Sequence, residues 1–194
     1  MALLAAHSPG WCWWRLAVLV LLALLGTEVS AQAKVQANVQ DYQVEAVYLF
    51  NFTQFVEWPS AAFADEQKPI VIGVLGDDPF GAYLDETVRG EIVGNRPLIV
   101  RRYRRIEDVE VCQVLFISRS EVEHLEAILG RLKDRSILTV SDADGFTQRG
   151  GIVRFVTQND HVKLRINVEA AKAAGLTISS KLLRVADTVS AEMD

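Results

Sequence analysis

The stretch Ile70-Val71-Ile72-Gly73-Val74-Leu75, followed by Gly76-Asp77-Asp78-Pro79, decides how the rest of the chain is read. An apolar run with no polar alternate marks a strand buried on both faces. A glycine turn and an Asp-Pro pair come next, with Asp78 placed to cap a helix that has Pro79 at its first position. Strand, turn and helix in that order are the unit of an α/β sheet covered on both sides. The unit recurs at 111–117 (VCQVLFI), where Ser118 and Ser120 offer caps and Glu123 a capping-box partner for Ser120. A helix is predicted over 121–132, with Val122, Leu125, Leu129 and Leu132 on one side. Residues 97–103 and 137–140 read as further strands.

Upstream, a helix builds from about residue 35. Tyr42, Val44, Val47, Tyr48, Phe52, Phe55 and Val56 recur mainly at steps of three and four, and Trp58-Pro59 ends the run. Its aromatic face suits packing on a sheet; a membrane-surface role is weakened by the absence of basic residues from 41 to 67. Downstream, Gly150-Gly151 open a hairpin of strands 152–157 and 161–166 with its turn at Asn159-Asp160. Asn167 caps a helix over 168–174 and Gly175 ends it. Leu176-Thr177-Ile178 is extended, and Ser179 or Ser180 caps a last helix over 181–189. The fold class is α/β: a single domain with a mixed β-sheet flanked by helices, a C-terminal β-hairpin and two short helices. Its core runs from about 42 to 189.

The first 31 residues have a different character. Arg15 precedes the apolar run LAVLVLLALL at 16–25, and Val29-Ser30-Ala31 supplies small residues at −3 and −1. That is the layout of a secretory signal peptide, with cleavage after Ala31 or, two residues later, after Ala33. The run is short for a membrane anchor. The expected mature domain is 32–194, exported.

The 194 residues are 50% hydrophobic and 23% charged, the balance of a globular protein, and the net charge of −5 argues against a nucleic-acid partner. Dinucleotide, P-loop, GxSxG and HExxH patterns do not occur. His124 and His161 are isolated, so no metal site is expected, and no cofactor. Cys112 lies inside an apolar strand, where a thiol is inert, and it is the only cysteine after residue 31, so no intramolecular disulfide is expected. Asp142 and Asp144 read as a solvated turn. No nucleophile–base constellation points to an enzyme.

The hairpin holds one candidate site. A two-residue turn places Val153 opposite Ile166, Phe155 opposite Leu164 and Arg154 opposite Arg165. Like charges directly opposite destabilise a sheet unless neutralised. Glu169, a small carboxylate ligand or an acidic partner residue could neutralise them, which makes Arg154, Arg165 and Glu169 the candidate ligand- or partner-binding residues. Two solvated arginines splayed apart are the plainer alternative.

The chain also resembles the YfiR family of small periplasmic proteins of Gram-negative bacteria. The resemblance lies in Glu45-Ala46-Val47-Tyr48-Leu49-Phe50-Asn51-Phe52 with Trp58-Pro59, in 70–76, in Gly150-Gly151 with Phe155, and in Ile166-Asn167-Val168-Glu169-Ala170-Ala171-Lys172-Ala173-Ala174-Gly175-Leu176 continuing through Ser179-Ser180-Lys181-Leu182-Leu183. It implies a dimeric periplasmic regulator without enzyme activity. Such a regulator binds the periplasmic sensory domain of a membrane-anchored diguanylate cyclase, holds it off, and lowers cyclic-di-GMP and biofilm formation. A sensor kinase is the other partner the family implies. The family's characterised regulator has disulfides tied to redox control, which Cys112 alone cannot reproduce. The competing reading is a periplasmic small-molecule (carboxylate) binding protein that serves a sensor or transporter.

Overall fold

The apolar strands assemble as the sequence predicts, into a sheet whose two faces are both dry at its centre. The computed structural model describes residues 39–189 apart from Ala64, Glu66 and Asp160. The expected signal peptide at 1–31 lies outside the described residues. The described residues from 41 onward form one compact unit.

Helix α1 covers 39–55. Then follow β1 (Val56–Glu57), β2 (Ile70–Leu75), α2 (Ala82–Val88), β3 (Ile92–Val93), β4 (Arg96–Tyr103), β5 (Val114–Ile117), α3 (Leu125–Leu132) and β6 (Leu138–Ser141). The chain ends through β7 (Val153–Gln158), β8 (His161–Asn167), α4 (Val168–Ala173), β9 (Thr177–Ile178), α5 (Ser180–Leu183) and β10 (Ala186–Val189). Eight strands form a mixed sheet in the order β10-β8-β7-β6-β5-β2-β4-β3. The run β4-β2-β5-β6-β7 is parallel, and β8 returns antiparallel to β7.

Alternation along the strands builds two cores. Ile70, Ile72, Val74, Val114, Phe116, Leu138 and Val140 face one side, where Ala46, Leu49 and Phe52 of α1, Leu84 of α2 and Ala171 of α4 pack on them. Val71, Leu75, Leu115 and Ile117 face the other, under Leu125, Ile128 and Leu132 of α3. Gly73 lies between Cys112, Tyr103 and Leu115; an added Cβ would stand 2.8–2.9 Å from each. The glycine inside the apolar run therefore makes room for the second core.

Several boundaries differ from expectation. Strand β5 starts at Val114 rather than at residue 111, just after Gln113, which cross-links its surroundings. Its Oε1 accepts from Val71 N at 2.8 Å, its Nε2 donates to Ala62 O at 2.9 Å, and its carbonyl accepts from Trp58 Nε1 at 3.2 Å. Residues 119–124 form a 3-10 turn before α3, capped by Ser118, whose side chain accepts from Ser120 N, so the Ser120–Glu123 box is not formed. Asp78 closes a turn by accepting from Phe80 N at 2.8 Å, and α2 starts later, after Gly81. The expected helix 181–189 is one turn long; beyond it, β10 lies parallel to β8. The strand β1 ends the first helix early and pairs with β9 through Val56↔Ile178 and Glu57↔Thr177.

Candidate functional site

The hairpin forms in the predicted register, with Val153↔Ile166, Arg154↔Arg165 and Phe155↔Leu164. Phe155, Leu164 and Ile166 are buried against α1, which turns both arginines to the opposite face. Ser141 stands beside Arg154, and Asp187 beside Arg165, so four residues cross the sheet in one row. Arg154 is largely buried and its Nη2 pairs with the exposed carboxylate of Asp144, while its Nε is buried without a partner. Glu169, expected as a neutraliser, instead accepts from Lys172 Nζ at 2.9 Å. The sheet has thus placed the two arginines together and answered one of them with a loop aspartate. Among the described residues no salt bridge reaches Arg165, which stays half-buried with a free charge.

In a doubly wound sheet, ligands enter the crevice beyond the carboxyl ends of strands where the winding reverses. Here that crevice lies between β2 and β5, which lead to helices on opposite faces. It is closed. Ser120 Oγ accepts from Asp77 N at 3.0 Å, and a Cβ on Gly76 (φ 86°) would stand 2.4 Å from that oxygen.

Next to it, an exposed cluster is fully paired. Arg102 Nε donates to Asp78 Oδ2 at 2.7 Å, and its Nη1 and Nη2 donate to Asp85 at 3.1 and 2.6 Å. Nη2 also donates to Gly81 O at 2.8 Å. The hydrogen bonds from Arg102 hold the Asp85 carboxyl below its usual range. The fork ties α2 to β4 and places the Asp78 and Asp85 carboxylates near the start of that helix, which disfavours an anion there.

A second cluster, at the carboxyl ends of β5 and β6, escaped the sequence reading. Asp142 is 4% exposed, not solvated as its turn predicts. Its Oδ2 accepts from Tyr42 OH at 3.0 Å and pairs with Arg119 Nε at 2.8 Å, while its Oδ1 is buried without a partner. Glu45, one helical turn after Tyr42, is 3% exposed, and its Oε2 also lacks a partner. Burial first, then the neighbouring Asp142 and Asp41, push the Glu45 carboxyl up to about 9. The Tyr42 phenol is raised as well, by burial and then by Asp142. A signal was present in the sequence: Tyr42, Glu45, Leu49 and Phe52 follow one another at helical steps, which puts a carboxylate on the face that must be buried.

Cys112 is free and buried, and burial pushes its thiol up to about 12, which removes the thiolate that redox chemistry needs. A groove of about 300 Å³ between α3 and α4 is lined by Leu129, Ile137, Ile152 and Ala173 among others, and contains none of Arg154, Arg165 and Glu169. Among the described residues no three His, Cys, Asp or Glu side chains converge as a metal site would require, and no helix is long and apolar enough to cross a membrane.

No curated protein matches the chain in sequence. A family model described as YfiR/HmsC-like matches residues 42–187. The match takes in nearly every described residue, and the chain belongs to that family.

Proposed function

We propose that this YfiR/HmsC-like chain is a non-enzymatic periplasmic regulator that binds the periplasmic sensory part of a membrane signalling protein. In this reading the partner is a membrane-anchored diguanylate cyclase, held in its inactive state, so that cyclic-di-GMP and biofilm formation fall. A membrane sensor kinase is the second partner class. The chain acts after export and removal of residues 1–31, as a homodimer. The family match over 42–187 carries this reading.

The physics is compatible with such a role. A repressor needs no reaction centre, only a higher affinity for one state of its partner. The crevice where an α/β sheet would take a ligand is closed by Ser120 against Gly76. Surface features remain for recognition. Arg165, which no salt bridge reaches among the described residues, offers a charge beside the exposed Asp187. Val44 and Val47 stand 40% exposed on the outer side of α1.

The carboxylate-binder reading places its ligand on Arg154, Arg165 and Glu169. Arg154 and Glu169 already have partners in Asp144 and Lys172, so a ligand would have to displace both or rely on Arg165. The regulator reading is tested by capturing detergent-solubilised membrane proteins of the source organism on tagged residues 32–194, and by repeating the capture with R165E. A co-purified cyclase or sensor kinase, lost with R165E, is the expected result. Capture of neither class, with and without crosslinking, would overturn it.

A further inference from the structure

The burial of Glu45 and Asp142, two acids without an internal counter-charge for both, is the part of the molecule that neither the fold nor a partner surface explains. A buried ionised carboxylate costs several kcal/mol unless it is paired and hydrogen-bonded. Here two acidic side chains, near enough for the charge of Asp142 to raise Glu45, are buried with one unpartnered oxygen each, Glu45 Oε2 and Asp142 Oδ1. They come from separate elements: Glu45 from the second turn of α1, Asp142 from the end of β6. The phenol of Tyr42 holds the two together by donating to Asp142. The groups around Glu45 are Asp41 and Tyr42 from its own helix, Asp142 after β6, and Arg119 after β5. Arg119 is the one cation among them, its bonds go to Asp142, and its side chain is 67% exposed. With Glu45 ionised, three carboxylates would face one largely hydrated guanidinium.

We propose that Glu45 and Asp142 form a proton-binding site: one proton, carried by Glu45 and shared with the free oxygen of Asp142, latches the N-terminal half of α1 onto the carboxyl edge of the sheet. The proton satisfies both orphaned oxygens with a single hydrogen bond between neutral acid and carboxylate, of the kind that carboxyl pairs form when they cannot both ionise. Beyond Glu45 the helix is held differently, by Leu49 and Phe52 in the first core. Loss of the proton therefore releases the first turns, with Val44 on their outer side, and leaves the rest of α1 docked. The site does not depend on the partner assigned above.

The direct test is a titration of the exported chain, labelled with carbon-13 at the glutamate side-chain carboxyls, joined to amide hydrogen exchange. The Glu45 carboxyl resonance is expected to titrate with its midpoint above pH 7, far from the ordinary value of 4.5. Protection of amides 41–47, corrected for intrinsic rates, is expected to fall by about tenfold or more between pH 6 and pH 9.5, while that of 50–55 holds. In E45Q the amide keeps the bond to Asp142 without titrating, and the pH dependence of 41–47 is expected to vanish. A midpoint near 4.5, or the same exchange profile at both pH values in the wild type, would overturn the proposal. The wild-type titration decides alone if E45Q does not fold.

Discussion

Arg102 with Asp78 and Asp85, and Glu45 with Asp142 and Tyr42, are two carboxylate clusters at the same edge of one sheet, built on opposite terms. In the first, one guanidinium reaches both carboxylates and a backbone carbonyl, and water covers what is left. In the second, two acids are buried and two of their oxygens have no partner. The Arg102 fork adds a modest exposed network that binds α2 to its strand. The Glu45 pair costs stability whenever pH asks Glu45 to ionise. Its presence inside an otherwise apolar helix face points to a role other than stability, since an apolar side chain there would serve packing better.

The largest effect should come from E45Q. The Glu45 carboxyl is raised in the fold to about 9 from 4.5. Between those values the folded chain binds a proton that the unfolded chain does not, so stability is fullest below 4.5 and falls as pH rises toward 9. E45Q removes that slope. Urea denaturation should find it more stable than wild type by ~2–4 kcal/mol at pH 8 and nearly equal at pH 4.5. A constant difference across that range would break the contrast between the clusters.

Y42F takes the phenolic donor from Asp142 and should cost ~1.5 kcal/mol at pH 7, as loss of a hydrogen bond to a charged group does. R102A removes the exposed fork and should cost only ~1 kcal/mol, since its partners return to water. Thermal melts of the two variants side by side place them in order. The smallest effect is that of salt: raising NaCl to 1 M should narrow the R102A deficit by a few tenths of a kcal/mol and leave the E45Q gain at pH 8 unchanged, because screening reaches exposed pairs far more than buried ones. Equal salt sensitivity of both would mean that Glu45 is hydrated.

Much of this architecture is legible in the residues, for reasons of period and chemistry. Ile70–Leu75 reads as a strand dry on both faces because no polar residue alternates in it. The hairpin register follows from period two and a two-residue turn, which puts Arg154 opposite Arg165. Asn167 and Ser179 cap α4 and α5 because a short side-chain acceptor there meets a free amide, of Ala170 and Leu182. What escapes is whatever depends on a distant partner. Residues 186–189 become a strand only because the edge of β8 is open to them. Val56–Glu57 leaves the helix because β9, over a hundred residues away, offers pairing. Asp142 looks solvated in its turn and is buried only because α1 lies across it. Arg154 finds its counter-charge in Asp144, across a loop whose path the strand pattern does not give, while Glu169, just beyond the hairpin, pairs with Lys172.

We propose above that the chain restrains a membrane-anchored cyclase. The most direct measurement is intracellular cyclic-di-GMP in the source organism with its gene deleted and with the exported chain restored. A rise on deletion that the wild-type chain reverses is the expected result. A level that neither deletion nor restoration moves would contradict it.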